Sequence, residues 1–578
     1  FSNAFNCLRR RRDSMLETVH ELLPEIFNFC RLSYDQESIL SFQGFHVTSA
    51  EGNQQGDPLG PLTFATTIHP ILLALQSKFA VGYLDDLTAG GEAQTLARDF
   101  DLIQEQASRL GLSLNIKKCE IISASGFDEL PSQFSGFRKI DAVDSKLLGA
   151  PLFVGSTLST SLASKCEALE RAAARLSKLQ AHDALLILKN SLSAPTLMYT
   201  LRSSPCSGCP ELDTFDGLLR SSLSSITNVA IDGPAWVQAT LPVRNGGLGV
   251  RSVALLAPSA FLASAAATRG LQDRLLRGGD GLTDPAIEHA LDIWSARHNV
   301  EAPIGAERSK QANWDLASIQ LGTAGLDAHF QDQHHRARLL AVRADHSGDW
   351  LHAWPISSCG LRLDDEAIRV AVGLRLGVNL CAPHACPCGA QVDARGNHGL
   401  ACRRSAGRLP RHALLNDLVH RALVKAVVPS AKEPSGLLRS DGKRPDGCTL
   451  VPWYRGRCLA WDVTVPDTLA ASHLQVSCTA AGAAAEGAAV FKANKYQEIC
   501  RSHEFCAVAV ETMGPMNRDA HQLISELGER LTAASGDPRE RSFLYQRISI
   551  IIQRCNAASF RGTFVDADMD VVDFPATK

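Results

Sequence analysis

Apolar residues recur every three or four positions along MLETVHELLPEIFNFC from Met15, a spacing that predicts an amphipathic helix. FAVGYLDDLTAGG, from Phe79, reads as a strand, a turn and a second strand. AQTLARDFDLIQEQASRLGL, from Ala93, returns to helical spacing, and residues 1–156 together predict an α+β domain. Helical periodicity then dominates 157–241, in EALERAAARLSKLQ and DALLILKNSLSAPTLMYTL. It continues through 242–380, punctuated by the turn RNGGLG at Arg244 and a linker-like stretch from Gly278 to Pro285. A Cys/His-rich knot occupies 381–405, and a second α/β pattern fills 406–531. An apolar helix, YQRISIIIQRCNAASF, with a tail, covers 532–578. The expected architecture is α+β and multidomain.

A chain of 578 residues is too long for one core, and 45% hydrophobic with 21% charged residues places it among globular proteins. The net charge of -3 provides no global positive field, so any surface for nucleic acid must be local. Seventeen scattered cysteines do not form a dense disulfide framework, and reduced thiols are expected. The apolar runs from Val253 and Ala480 are interrupted by Pro258 and Glu486, so no membrane association is expected. The first residue is Phe1, and the opening segment reads as the interior of an element; the sequence is expected to be a piece of something longer.

Candidate chemistry begins with GYLDDLTAGG, which sets Asp85 and Asp86 at the turn of the predicted hairpin. Adjacent carboxylates repel each other, and a divalent cation beside a phosphate relieves that repulsion, as metal-assisted phosphoryl transfer requires. A solvated Asp-Asp turn is the plainer explanation. Upstream, QQGDPLGPL supplies Gln55, Gly56 and Asp57 in a Gly/Pro-rich loop that enters a helix. Downstream, LNIKKCE supplies Lys117 and Lys118.

Three motifs in this order resemble the palm of reverse transcriptases, particularly those of non-LTR retrotransposons. Tyr83-Leu84-Asp85-Asp86 resembles the family's metal-binding hairpin, Gln55-Gly56 its template and nucleotide loop, and LNIKKCE its lysine motif, with LLGAPLFVG near Leu147 similar to the primer-gripping strand. The resemblance implies that Asp85 binds catalytic Mg²⁺ (or Mn²⁺) with support from Asp86. It further implies that Phe5, Gln55, Gly56 and Lys118 contact nucleotide or template, and that RNA template, DNA primer and dNTPs are partners. In the family an Asp and three intervening residues precede the Ala-aromatic pair that Ala4 and Phe5 match. That Asp would precede Phe1, as would the finger strands, so the polymerase part of this chain is expected to be inactive. The run Arg9 to Arg12 reads as a solvated helix start.

In the knot, Cys386, Cys388, His398 and Cys402 give C-x-C, nine residues, H, three residues, C, a soft donor set suited to tetrahedral Zn²⁺. Cys381 or His384 can replace one ligand on sequence grounds, and Gly389, Gly396 and Gly399 suit tight turns. Beyond it, DGKRPDGCTLVPWYRGRCLAWDVTV places Asp446 and Asp462 on two strands separated by fifteen residues, so a hairpin can unite them at one sheet end. Two such carboxylates can hold Mg²⁺ beside a phosphodiester while a lysine stabilises charge on phosphorus. A turn aspartate, and an acid paired with Arg455 or Arg457, are the plainer explanations.

This block resembles the restriction-like endonuclease that follows the reverse transcriptase in early-branching non-LTR elements. The resemblance rests on the Cys/His knuckle, Arg411-His412, Arg444-Pro445-Asp446, Asp462, and the cluster Lys492, Lys495 and Tyr496. It implies Asp446 and Asp462 as metal ligands and Lys492 or Lys495 as the catalytic lysine, with Glu433 and Glu511 as further acidic candidates. The implied layout is a partial palm (1–156), helical thumb (157–241), helical linker (242–380), zinc knuckle (381–405), endonuclease (406–531) and C-terminal helix and tail (532–578). The implied process is target-primed reverse transcription of element RNA at nicked nuclear DNA. A non-catalytic nucleic-acid-binding remnant and an RNA-folding maturase are the alternatives.

Overall fold

The computed structural model describes residues 12–49, 52–54, 56–276, 284–437 and 444–564. The chain forms two compact units, one of 1–158 with 203–205 and 261–290, the other of 159–202, 206–260 and 291–578.

In the first unit the early periodic stretch yields two helices, α1 (Arg12–Leu22) and α2 (Pro24–Tyr34). They part because Pro24 lacks an amide hydrogen and has the backbone angle of a first helical residue, so it starts a helix more readily than it continues one. An antiparallel ribbon of β1 (Ser38–Phe42) and β2 (Phe45–Ser49) comes next. Then α3 (Gly60–Ala74), β3 (Phe79–Tyr83), β4 (Asp86–Gly90) and α4 (Ala93–Arg109) build the centre of the unit. Phe64 and Ile68 of α3 pack with Ala107 and Leu112, and Ile71 and Leu75 pack with Ile103. Ala80 and Leu87 lie against the latter cluster, so the β3–β4 ribbon is seated on both helices. The buried Asp99 of α4 accepts the amides of Gln76 (2.9 and 3.1 Å) and Ser77 (2.8 Å), which fixes the turn from α3 into β3. The unit also holds a parallel pair, β5 (Glu120–Ile121) with β6 (Arg138–Lys139), and a hairpin of β7 (Lys146–Leu147) and β8 (Ala150–Pro151).

Helices follow from there: α5 (Ser156–Leu176), α6 (Ala181–Ile187), α7 (Ala194–Ser203), α8 (Pro210–Thr227), α9 (Gly233–Thr240), α10 (Val253–Leu275), α11 (Pro285–Arg297), α12 (Gln311–His329), α13 (Gln333–Arg343) and α14 (Asp365–Leu376). A π-helical turn at Leu188–Leu192 precedes α7. In the second unit Asp365 accepts the Ala181 amide at 2.8 Å and Arg362 pairs with Asp183 at 2.7 Å, so parts of the stretches expected as thumb and linker pack against each other within that unit. Contrary to the sequence reading, α10 runs through Pro258 and is long and apolar enough to cross a membrane by length and composition. Its Leu256, Ala257, Ala260 and Leu262 are buried in the protein.

The knot carries β9 (His384–Ala385), β10 (Gln391–Val392) and the one-turn α15 (His398–Ala401), and α16 (Arg408–Lys425) leads into a four-stranded sheet. Its strands are β11 (Ser430–Lys432), β12 (Gly447–Thr449), β13 (Leu459–Thr464) and β14 (Glu504–Ala509), ordered β11-β12-β13-β14. The first three are antiparallel, and β14 runs parallel to β13 after a crossover through α17 (Leu474–Ser477) and α18 (Ala483–Lys495). Leu459, Trp461 and Val463 point to a core shared with α16, α19 (Arg518–Ser535) and α20 (Glu540–Arg561). The opposite face packs Ala507 and Ala509 on Ala485 and Ala489, whose small side chains let α18 lie close to the sheet. The sequence reading set 532–578 apart from the sheet domain, yet Leu544, Tyr545, Ile548 and Ile552 belong to the same core.

Candidate functional site

The β3–β4 ribbon pairs Tyr83 with Asp86 and leaves Leu84 and Asp85 as a two-residue turn. Leu84 has φ +56°, the sign required at the first position of a II′ hairpin turn, where glycine is the usual occupant. The turn thus holds a branched side chain in left-handed backbone and displays Asp85 and the exposed Asp86 side by side at the tip. Gly56, at φ +92°, lies in the loop before α3. There Asp57 accepts the Leu59 amide at 2.9 Å and the Tyr34 hydroxyl, and the buried Asn53 donates to the Gly60 carbonyl at 3.0 Å. Lys118 is exposed at the end of a short 3₁₀ turn, Ile116–Lys118. In the primer-strand match, Leu148 and Gly149 both have positive φ (+49° and +82°), the I′ turn geometry. Phe5, Gln55 and Arg9 to Arg11 lie outside the described residues, as does most of the linker-like stretch.

On the sheet, the strands expected to carry Asp446 and Asp462 do form an antiparallel pair, Gly447 opposite Trp461. The Trp461 ring packs against that position. A Cβ on Gly447 would come within 2.0 Å of its ring, which gives the glycine after Asp446 a packing role. Asp446 Oδ2 accepts the Val463 amide at 2.6 Å, tying it to the residue after Asp462. Asp462 is 2% exposed, and its Oδ1 pairs with Lys492 of α18. A carboxylate that deep requires a partner, and neither Arg455 nor Arg457 supplies it. Arg457 pairs with Glu504 at 3.1 Å, and Arg455 lies over Tyr454.

Lys495 takes a different place: its ammonium donates to Tyr496 Oη at 2.7 Å, and that hydroxyl donates to the Arg444 carbonyl at 2.8 Å. This chain of bonds positions the segment entering β12, while Lys492 pairs with Asp462. His412 Nε2 lies 2.9 Å from Asp446 Oδ2. The bond to Asp446, reinforced by the charges of Asp446 and Asp462, holds the imidazole above its ordinary pKa against the effect of burial. Asn416, one turn further along α16, accepts from Trp461 Nε1 at 2.8 Å. The i, i+4 spacing of His412 and Asn416 in RHALLN was the available signal for this shared face, and the sequence reading gave His412 no site role. Arg411 is buried, with bonds to Asn556 Oδ1 (3.1 Å) and the Leu400 carbonyl (3.2 Å) that anchor α16. Glu433 pairs with Arg444, and Glu511 accepts the Ala485 amide (3.1 Å) in the first turn of α18, where burial raises its pKa. Both therefore have local structural partners.

In the knot, the ligand atoms of Cys386, Cys388, His398 and Cys402 all lie within 4.8 Å of one another. Cys388 Sγ is 3.1 Å from His398 Nε2, and Cys386 Sγ is 3.8 Å from Cys402 Sγ. The Ala390 amide lowers the Cys388 thiol to about 6, toward the thiolate a metal needs, while burial raises Cys386 to about 11. This Cys₃His set fits Zn²⁺ in number, softness and proximity. Neither alternative ligand joins it. Cys381 Sγ faces the Asp393 carbonyl, and His384 bonds Thr563 Oγ1 at 3.0 Å and stacks on Phe564. Gly399 sits inside α15 and not in a turn; its Cβ would lie 2.9 Å from the Ser559 carbonyl, so close packing against α20 is what excludes a side chain.

No curated protein matches the chain. Residues 4–151 match the family model described as reverse transcriptase (RNA-dependent DNA polymerase), and this match supports reverse-transcriptase function for the part of the chain that bears the Asp85–Asp86 ribbon.

Proposed function

We propose that this chain joins a reverse-transcriptase domain of non-LTR type to a metal-dependent DNA endonuclease, and that the two serve target-primed reverse transcription on nuclear DNA. The observation that carries the nuclease reading is the meeting of His412, Asp446, Asp462 and Lys492 from α16, the entry to β12, the adjacent β13 and the crossover helix α18. Asp446 and Asp462 are the residues that would hold Mg²⁺ or Mn²⁺; bound there, the ion supplies an activated water and charge neutralisation at the phosphodiester. Lys492 pairs with the buried Asp462 and brings a cation to the place where negative charge develops. His412 and the Val463 amide orient Asp446. The Cys₃His knot is a structural zinc knuckle, with α20 as its packing support.

For the polymerase domain, Asp85 and Asp86 supply two carboxylates, and the third carboxylate of a two-metal palm is not among the residues of this sequence that match the motif. The 578-residue chain is therefore expected to give no primer extension with an RNA template, primer and dNTPs; extension would overturn that part of the reading. The nuclease part is tested with purified chain and supercoiled plasmid. Mg²⁺-dependent conversion to the nicked circle is expected for the native chain and lost in Asp446→Ala. Nicking that survives this substitution would remove the assignment.

A further inference from the structure

Two arginines are buried in the helical part of the second unit without a carboxylate hydrogen-bonded to either among the described residues. Arg375 donates to the carbonyls of Gly247 (3.0 Å) and Val243 (2.7 Å). Arg338, 3% exposed, donates from Nε to His335 Nδ1 (3.3 Å) and from Nη1 to Gln238 Oε1 (2.8 Å) and the Arg375 carbonyl (2.5 Å). Its Nη2 is buried and has no hydrogen-bond partner among the described residues. A charged donor left in that condition is costly, and an arginine fork matches an oxyanion better than it matches a neutral carbonyl.

Arg338 lines a small notch together with His334, His335, Arg395 and Asn397. The cavity is about 10 Å³, room for one water-sized atom group. Arg395 comes from the Cys/His knot, between Cys388 and His398, so the knot's fold delivers a second guanidinium to the rim. Gly377 is needed for this arrangement: it has φ +73°, and a Cβ there would lie 2.4 Å from Arg338 Nε. Asp332, an acid whose charge acts on both arginines, is engaged as the cap of α13, accepting the His335 amide at 3.0 Å. Positive charge therefore exceeds negative at the notch, and burial together with the charges of Arg395, Arg343 and Arg375 lowers Arg338 to about 9.

We propose that this notch is a binding subsite for one non-bridging oxygen of a nucleic-acid backbone phosphate, with Arg338 as the buried donor and Arg395 as the rim cation. The proposal rests on the nucleic-acid reading of the chain but not on the nuclease: it places a phosphate contact away from both acidic sites, where it positions a strand and carries no base information. The ligand chemistry is that of a phosphoryl oxygen, which free orthophosphate shares.

The test uses the full chain and a fluorescein-labelled single-stranded RNA of arbitrary sequence, followed by anisotropy across a NaCl series, with orthophosphate as a second probe in thermal melting. Arg395→Gln removes the rim cation from an accessible loop. The control Arg404→Gln removes a guanidinium from the same knot, where Arg404 donates to the Pro387 carbonyl at 2.8 Å outside the notch. Arg395→Gln is expected to lower the salt slope of log K by about 0.7, the value for one phosphate contact on a single strand, and to abolish stabilisation by orthophosphate. Arg404→Gln is expected to keep that stabilisation. Arg338→Lys, which retains charge but not the fork, is expected to behave as Arg395→Gln does.

An unchanged salt slope in Arg395→Gln overturns the proposal. Orthophosphate stabilisation with no change in RNA binding assigns the notch to the free ion and overturns it as well, as does equal loss of orthophosphate stabilisation in Arg395→Gln and Arg404→Gln. Because neither readout involves strand cleavage, failure here is distinguishable from failure of the nuclease assignment.

Discussion

Asp85 and Asp86 are neighbours in sequence, displayed at the tip of a two-stranded ribbon. Asp446 immediately precedes β12 and Asp462 lies in β13 of a four-stranded sheet, and Asp462 is in the interior beside a lysine 30 residues further along the chain. The first site is formed by local geometry: a short turn fixes it, and the ribbon that bears it rests on α3 and α4. The second exists only when α16, the sheet and α18 are all in place. A local site can be legible in a few letters. An assembled site depends on a whole core, and its chemistry is coupled to stability.

The largest difference is expected on removing Trp461, which is fully buried and packs against Gly447 next to Asp446. Trp461→Ala should destabilise the second unit by about 3–5 kcal/mol through lost burial and the cavity left behind. All seven tryptophans lie in that unit, so emission of the remaining six during denaturation reads it selectively. A shift below about 1 kcal/mol would mean that the sheet does not depend on this core.

Acidification should separate the units next. Burial lowers both His182 and His335, in the second unit, to about 4. Between pH 6.5 and 4 the folded unit therefore binds fewer protons than the unfolded chain. The stability these histidines contribute is complete above pH 6.5 and is lost as pH falls toward 4. A loss on the order of 2 kcal/mol across this window is expected in tryptophan-monitored melts. The double variant His182→Gln/His335→Gln should flatten the profile between those pH values, and a profile of unchanged steepness would contradict the assignment.

The smallest effect belongs to the ribbon. Leu84→Gly removes a side chain from a left-handed position and should stabilise the first unit by about 1 kcal/mol, the cost of placing an L-residue in that region. Amide exchange of the β3–β4 ribbon, slowed in the variant, would register it; faster exchange would show that the Leu84 side chain contributes more contact than strain.

Much of this was legible in the sequence because the signals were local. The Tyr83 to Asp86 hairpin, the C-x-C and H-x₃-C spacings, and the paired strands around Tyr454 to Arg457 each depend on residues close together. The boundaries were less legible. The division at Pro24 turned on one missing amide hydrogen, and the continuity of α10 through Pro258 on burial that periodicity does not encode. α20 reads as a separate helix although its apolar face completes the sheet's core. The choice between Lys492 and Lys495, three residues apart on α18, depended on Tyr496 drawing one of them to its own hydroxyl. His412 was underrated because a lone histidine carries no signal until the strand bearing Asp446 is placed beside it.

The most direct test compares strand nicking by Asp462→Ala with nicking by the double variant Asp85→Ala/Asp86→Ala, on the same supercoiled plasmid with Mg²⁺. Loss of nicking in Asp462→Ala with full nicking in the ribbon variant is the expected result. Nicking retained in Asp462→Ala, or lost only when the ribbon carboxylates are removed, would contradict a nuclease seated on the four-stranded sheet.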